Sequence, residues 1–240
     1  MFLRHIFKLA FRILLLATAL YLYFTDIVKL NYPAVFQQGF GAWFLWLVWI
    51  VLVVDMLYRL IPNKHIAIGA GKHFACSYKA SSVKTDAADM SKAPNPLHKG
   101  ALYSAVAWLA ATSAMLFALH LLGILTPPMV LIVTLLYAVF DLVFILFYCP
   151  FQALFWRNRC CVECRIYNWD YFMMCSPMLL FPNAYSISLV LLSVAVLLHW
   201  EIALRNKPHY FTRATNENLR CELCTDKLCL LRGLDKGLRR

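Results

Sequence analysis

Cys160, Cys161 and Cys164 form one cysteine group, and Cys221, Cys224 and Cys229 form a second. Each group contains a C-x-x-C pair, Cys161/Cys164 and Cys221/Cys224, the spacing that lets two thiolates turn onto one metal ion. Four such sulfurs suit a tetrahedral zinc site with bonds near ~2.3 Å. The same four would also carry an iron–sulfur cluster, and with it electron transfer. Zinc is favoured over the cluster because the spacing departs from the C-x2-C-x2-C run of bacterial ferredoxins. Cys160 and Cys229 stand as alternate ligands, and thiol redox chemistry is a third option. Arg157, Arg159, Arg165 and Lys227 lie close in sequence and would offset the charge of a four-thiolate site.

The obstacle is distance along the chain, since 56 residues separate Cys164 from Cys221. Most of that interval is apolar, from Ile166 to Leu204, and Pro182-Asn183 breaks it near the middle. A helical hairpin there would return both ends to one face and bring the cysteine groups together.

Composition supports that hairpin being in a membrane. The chain is 62% hydrophobic and 15% charged, against roughly a quarter charged residues in an ordinary soluble domain. Apolar runs punctuated by Pro and Gly predict six membrane helices. The first lies within Met1 to Phe24, with basic residues Arg4, Lys8 and Arg12 ahead of its apolar run. A retained first helix, with its basic end on the cytoplasmic side, is favoured over a signal peptide. The next three run over Ala42 to Ile61, Ala101 to Leu122 and Met129 to Tyr148. Ile166 to Phe181 and Ala184 to Leu204 complete the set, and Pro177 predicts a kink in the fifth. At ~1.5 Å per residue that fifth helix is short for a ~30 Å hydrocarbon core.

Charge arbitrates between five spans and six. With six, 22 of the 23 Lys and Arg residues fall on one side, leaving only Lys29 on the other. With five, the tail changes sides and the division becomes 13 against 10. The positive-inside rule therefore selects an all-α integral membrane protein with six helices and both termini cytoplasmic. The expected units are 1–62 (helices one and two), 63–100 (a cytoplasmic basic loop) and 101–149 (helices three and four). They continue as 150–165 (a cytoplasmic cysteine-containing connection), 166–205 (the hairpin) and 206–240 (a cytoplasmic cysteine-containing tail).

Ionisable residues inside such helices cost about 3 kcal/mol each on insertion scales and each needs a reason. Asp55 and Arg59, one turn apart, read as a local ion pair. Asp141 has no such neighbour and is the strongest candidate for a functional carboxylate. Asp170 reads as an early-turn acid favoured by the helix dipole. His199 and Glu201 complete the candidates, with His199 expected either to contact Asp170 or Asp141 or to be an interfacial histidine. All lie toward the predicted cytoplasmic half, whereas the outer half offers little beyond His120, Asp26 and Lys29. Met173, Met174 and Met178 read as packing residues in preference to copper ligands.

Other readings are weaker. The net charge of +11 is spread through loops with no basic stripe, so nucleic-acid binding is not expected. Gly69-Ala70-Gly71-Lys72 lacks the full phosphate-loop pattern. The expected partners are anionic lipids of the inner leaflet and a protein engaging the tail and loop. The sequence thus predicts a multi-pass inner-membrane protein whose cysteine-bound metal joins the hairpin to the tail as a structural or binding module. An iron–sulfur redox protein and a transporter using Asp141 are the alternatives.

Overall fold

The computed structural model describes residues 2–25, 40–62, 74–80, 99–147, 166–212 and 215–220. The described residues are helical apart from turns and one isolated bridge between Ala80 and Asn216. Five long helices carry the fold: α1 (Phe2–Thr25), α2 (Phe40–Leu60), α3 (Lys99–Leu121), α4 (Pro127–Leu146) and α6 (Ala184–Asn206). All five are long and apolar enough to cross a membrane. Between α4 and α6 stands α5 (Ile166–Cys175), continued by a 3₁₀ segment, Ser176–Leu180.

Local chemistry sets the helix ends. Gly123 adopts φ +71°, a conformation open to a residue without Cβ. There the Ile124 N–H donates to the Leu119 carbonyl (3.1 Å) and the Gly123 N–H to that of His120 (3.0 Å). That pair of bonds closes α3 with a Schellman cap. Thr126 is extended, and Pro127 and Pro128 follow in the first turn of α4, where their fixed φ suits a helix start. Asn183 caps α6 by accepting from the Tyr185 and Ser186 N–H groups, while Ser186 Oγ accepts from the Asn183 N–H. The predicted kink at Pro177 takes the form of a change of helix type, because proline brings no N–H to the α-helical ladder and the chain tightens to 3₁₀. Ten α residues at ~1.5 Å and five 3₁₀ residues at ~2.0 Å give roughly 25 Å of rise.

Packing follows the helical repeat. The buried stripe of α2 runs Phe44, Leu45, Val48, Leu52, Asp55, Met56 and Arg59, so its two charges continue the apolar face. On α1 the stripe is His5, Leu9, Arg12, Leu15, Ala19 and Leu22. α1 packs chiefly along α4, and α6 packs against α5 and α2. Leu52, Met56, Leu131, Leu135, Met174 and Leu189 fill the centre. α3 is peripheral, with 11% of its candidate span buried, against 50% for α4.

Hydrogen bonds fix the ends of α2 and α6 to each other. Tyr185 OH donates to the Leu45 carbonyl (3.0 Å) and Trp49 Nε1 to Ser188 Oγ (2.9 Å). At the opposite end Phe74 and Phe211 both pack on Trp200. The 74–80 segment there meets the chain after α6: the Glu217 N–H donates to the Lys79 carbonyl (2.9 Å), and Asn218 bonds the Ser77 carbonyl. Tyr78 stacks on Tyr210, with ring centres 4.5 Å apart.

Candidate functional site

Three carboxylates and three cations from four helices meet at the end of the bundle that carries Trp200. Lys8 and Arg12 lie one turn apart on α1 and both reach Asp55 of α2. Lys8 Nζ stands 2.6 Å from Asp55 Oδ1, and Arg12 Nη2 donates to Oδ2 at 2.7 Å. The other Arg12 nitrogen, Nη1, turns to α4, donating to the Ala138 carbonyl (2.5 Å) and, at 3.4 Å, to Asp141. One guanidinium thus ties three helices together.

Arg59 forms the second half of the network. Its two terminal nitrogens grip both oxygens of Asp170 on α5, the fork-on-fork geometry that arginine provides and lysine does not. Nη1 also donates to the Tyr167 carbonyl (2.8 Å). The guanidinium lies over the Tyr167 ring at 3.9 Å and the Tyr171 ring at 4.5 Å, adding cation–π attraction in a place with little water. Asp170 Oδ1 in turn accepts from the Tyr171 N–H at 2.6 Å. Three formal positive charges thereby face three formal negative ones, which is the condition for keeping such groups inside a helical bundle.

The Asp55–Arg59 local pair is replaced by two interhelical ones: Asp55 bonds α1 and Arg59 bonds α5. The reason is that both lie on the buried stripe of α2, where neighbouring helices offer closer and better-aligned partners than the helix's own next turn. Asp141 meets Arg12, and Asp170, which lies past the first turn of α5, is a full partner in an ion pair and not a first-turn acid. His199 is exposed, lies edge-on to Trp200 and pairs with no carboxylate among the described residues. Glu201 is buried and accepts from Trp169 Nε1 (3.1 Å) and Asn168 Nδ2 (3.5 Å). The structure therefore gathers Asp55, Asp141 and Asp170, leaves Glu201 at the α5–α6 contact and sets His199 apart.

Sequence reasoning treated Lys8 and Arg12 as orientation charges and missed them as members of the site. The available signal was spacing: His5, Leu9, Arg12 and Leu15 repeat at helical intervals, which puts Arg12 on a packing face. Along one side of the network lies a cavity of about 350 Å³, lined by Lys8, Arg12, Asp55, Arg59 and Asp141 together with apolar residues of α1, α2 and α4.

Cys160, Cys161, Cys164, Cys221, Cys224 and Cys229 lie outside the described residues. Of the described cysteines, Cys76 is exposed and Cys175 is buried. No group of three or more His, Cys, Asp or Glu side chains among the described residues is arranged to hold a metal ion. No protein-family model, curated protein or solved structure matches the chain.

Proposed function

We propose that this chain is an integral membrane protein of six spans with both termini cytoplasmic, acting as a membrane-embedded binding module. In this reading Cys161, Cys164, Cys221 and Cys224 hold one zinc ion that joins the α5–α6 hairpin to the tail, with Cys160 and Cys229 as alternates. The observation that carries it is the position of the flanking residues. Tyr167, three residues after Cys164, contacts Arg59 near the C-terminal end of α2. Arg220, immediately before Cys221, closes the 215–220 segment that docks on residues 74–80, beside Trp200 of α6. The described residues next to the two cysteine groups thus lie at the same end of the bundle, which supports a shared ion there.

The charge distribution supports the orientation, because six spans put 22 of the 23 Lys and Arg residues on one side and the rule for such a bias is cytoplasmic. The roughly 25 Å rise of α5 and its 3₁₀ extension supports a sixth, thin span whose ends reach the interface. Anionic lipids of the inner leaflet and a protein partner at the 63–100 loop and tail are the proposed neighbours.

A second reading is transport through the polar cluster around Asp141. It is favoured by one guanidinium, Arg12, bridging Asp55 and Asp141 at the wall of a cavity, since buried charges on inward faces of membrane helices mark substrate and ion paths. Metal analysis and a visible spectrum of anaerobically purified protein test the first reading. The expected result is a colourless protein with one zinc per chain. Visible absorption that bleaches with dithionite would replace zinc by an iron–sulfur cluster, and absence of metal would overturn the shared site. Transport requires instead that Asp141→Asn abolish flux while metal content stays unchanged.

A further inference from the structure

The cavity beside Lys8 and Arg12 is the gap between two helices that pack on different partners and little on each other. α1 lies along α4 and α2 lies along α6, and α1 and α2 make little direct contact. Ion pairs to Asp55 bridge the gap at its polar end. Phe7, Ile50, Val54 and Tyr58 line it and are also exposed, so the gap opens sideways between the helices, toward lipid if the chain spans a membrane.

Within that gap the most exposed charged group is the Lys8 ammonium. The Lys8 side chain is 32% exposed, against 10% for Asp55 and 13% for Asp141. Lys8 carries three donors, and its ion pair with Asp55 occupies one of them. Arg12 is 2% exposed, and its Nε has no hydrogen-bond partner, an omission that costs free energy unless a ligand or water fills it. Lys8, Arg12 and Arg59 line the cavity with Asp55 and Asp141, while Asp170 stands outside the lining. Asp170 neutralises Arg59 from outside the lining, so the donors left for an anion are those of Lys8 and the Arg12 Nε.

Depth agrees with charge. Lys8 lies in the first turn of the candidate span His5–Thr25, and Arg59 lies in the last turn of Phe40–Leu60. The polar end consequently sits where lipid headgroups sit, with Phe7 beside it, and Ile50 and Val54 of α2 form an apolar wall below it. A volume of about 350 Å³ is at the low end of ligand cavities, which run from roughly 300 to 1,000 Å³. It suits a headgroup with the start of a chain and excludes a whole two-chain lipid.

We propose that this gap binds the phosphate headgroup of an anionic membrane lipid, held by Lys8 and Arg12, with the first part of an acyl chain along Ile50 and Val54. The inference rests on the membrane reading above and not on the cysteine site.

The test uses the full chain in nanodiscs of phosphatidylcholine with a minor fraction of phosphatidylglycerol, and native mass spectrometry counts the lipid retained after extraction. The expected result is one phosphatidylglycerol per chain that outlasts phosphatidylcholine. Lys8→Gln should weaken retention about fivefold or more, as expected for one lost headgroup charge. Val54→Trp, which fills the apolar end, should weaken it similarly, and Lys79→Gln, at an exposed residue of the 74–80 segment, should leave it unchanged. The two cavity variants act on opposite ends of the site, so misfolding of one leaves the other to decide. Equal retention of both lipids, retention unchanged in both cavity variants, or equal loss in Lys79→Gln would overturn the proposal. Displacement by inorganic phosphate would overturn it too, assigning the site to a free anion. Release of the chain from membranes by alkaline washing would instead overturn the membrane reading, and metal content reports on the cysteine site separately.

Discussion

Arg12 holds three helices through one planar group, and its removal leaves Asp55 and Asp141 without their shared guanidinium. Breaking a buried ion pair from one side typically costs about 3–5 kcal/mol, because the stranded charge keeps its desolvation penalty. Arg12→Met should therefore lower the unfolding free energy in a denaturant titration of detergent-solubilised protein by about that amount. Lys8→Gln should cost about 1 kcal/mol or less, since the ammonium is partly solvated and Arg12 still pairs with Asp55. Equal effects of the two substitutions would contradict the assigned roles. Arg59→Lys keeps the charge, but it loses the two-pronged grip on Asp170 and the flat contact with Tyr167 and Tyr171. It should cost roughly 1–3 kcal/mol in the same titration, and a neutral outcome would mean that charge alone matters there.

At the level of elements, the start of α6 depends on a reciprocal cap between Asn183 and Ser186. Asn183→Ala should destabilise the protein by about 1 kcal/mol, within the usual range of ~0.5–2 for lost N-caps. An unchanged titration midpoint would show that packing alone fixes the α5–α6 turn. Helix positions were legible in the sequence because apolar length and Pro or Gly punctuation carry that information locally. Ala42 to Ile61 against Phe40–Leu60, and Ala184 to Leu204 against Ala184–Asn206, differ by a residue or two at the ends. The partners of the charges were not legible. Asp55 and Arg59 look paired when only one helix is considered. Their actual partners, Lys8, Arg12 and Asp170, are decided by which helices meet. Beyond Arg12 α1 is almost wholly apolar, so its packing face is marked only by the spacing of His5, Leu9, Arg12 and Leu15. The exposure of His199 was hidden for the same reason, since its neighbours at helical spacing are apolar on every side.

For the whole molecule, the proposed topology makes a labelling prediction. Cys76 is exposed, and Cys175 is fully buried in the core. An impermeant maleimide, with its sites mapped by mass spectrometry, should modify Cys76 in inside-out vesicles and not in intact cells. A Lys29→Cys variant should show the reverse, and Cys175 should resist on both sides until the protein is denatured. Labelling of Cys76 from outside would invert the orientation.

The central claim is that the two cysteine groups, separated by a helical hairpin, share one ion. Its most direct measurement is the metal content of Cys161→Ser and Cys224→Ser, each purified alone as full-length protein. Either substitution should remove the metal, because one ion loses a quarter of its ligands whichever group is altered. Full metal retained in one variant and lost in the other would contradict it.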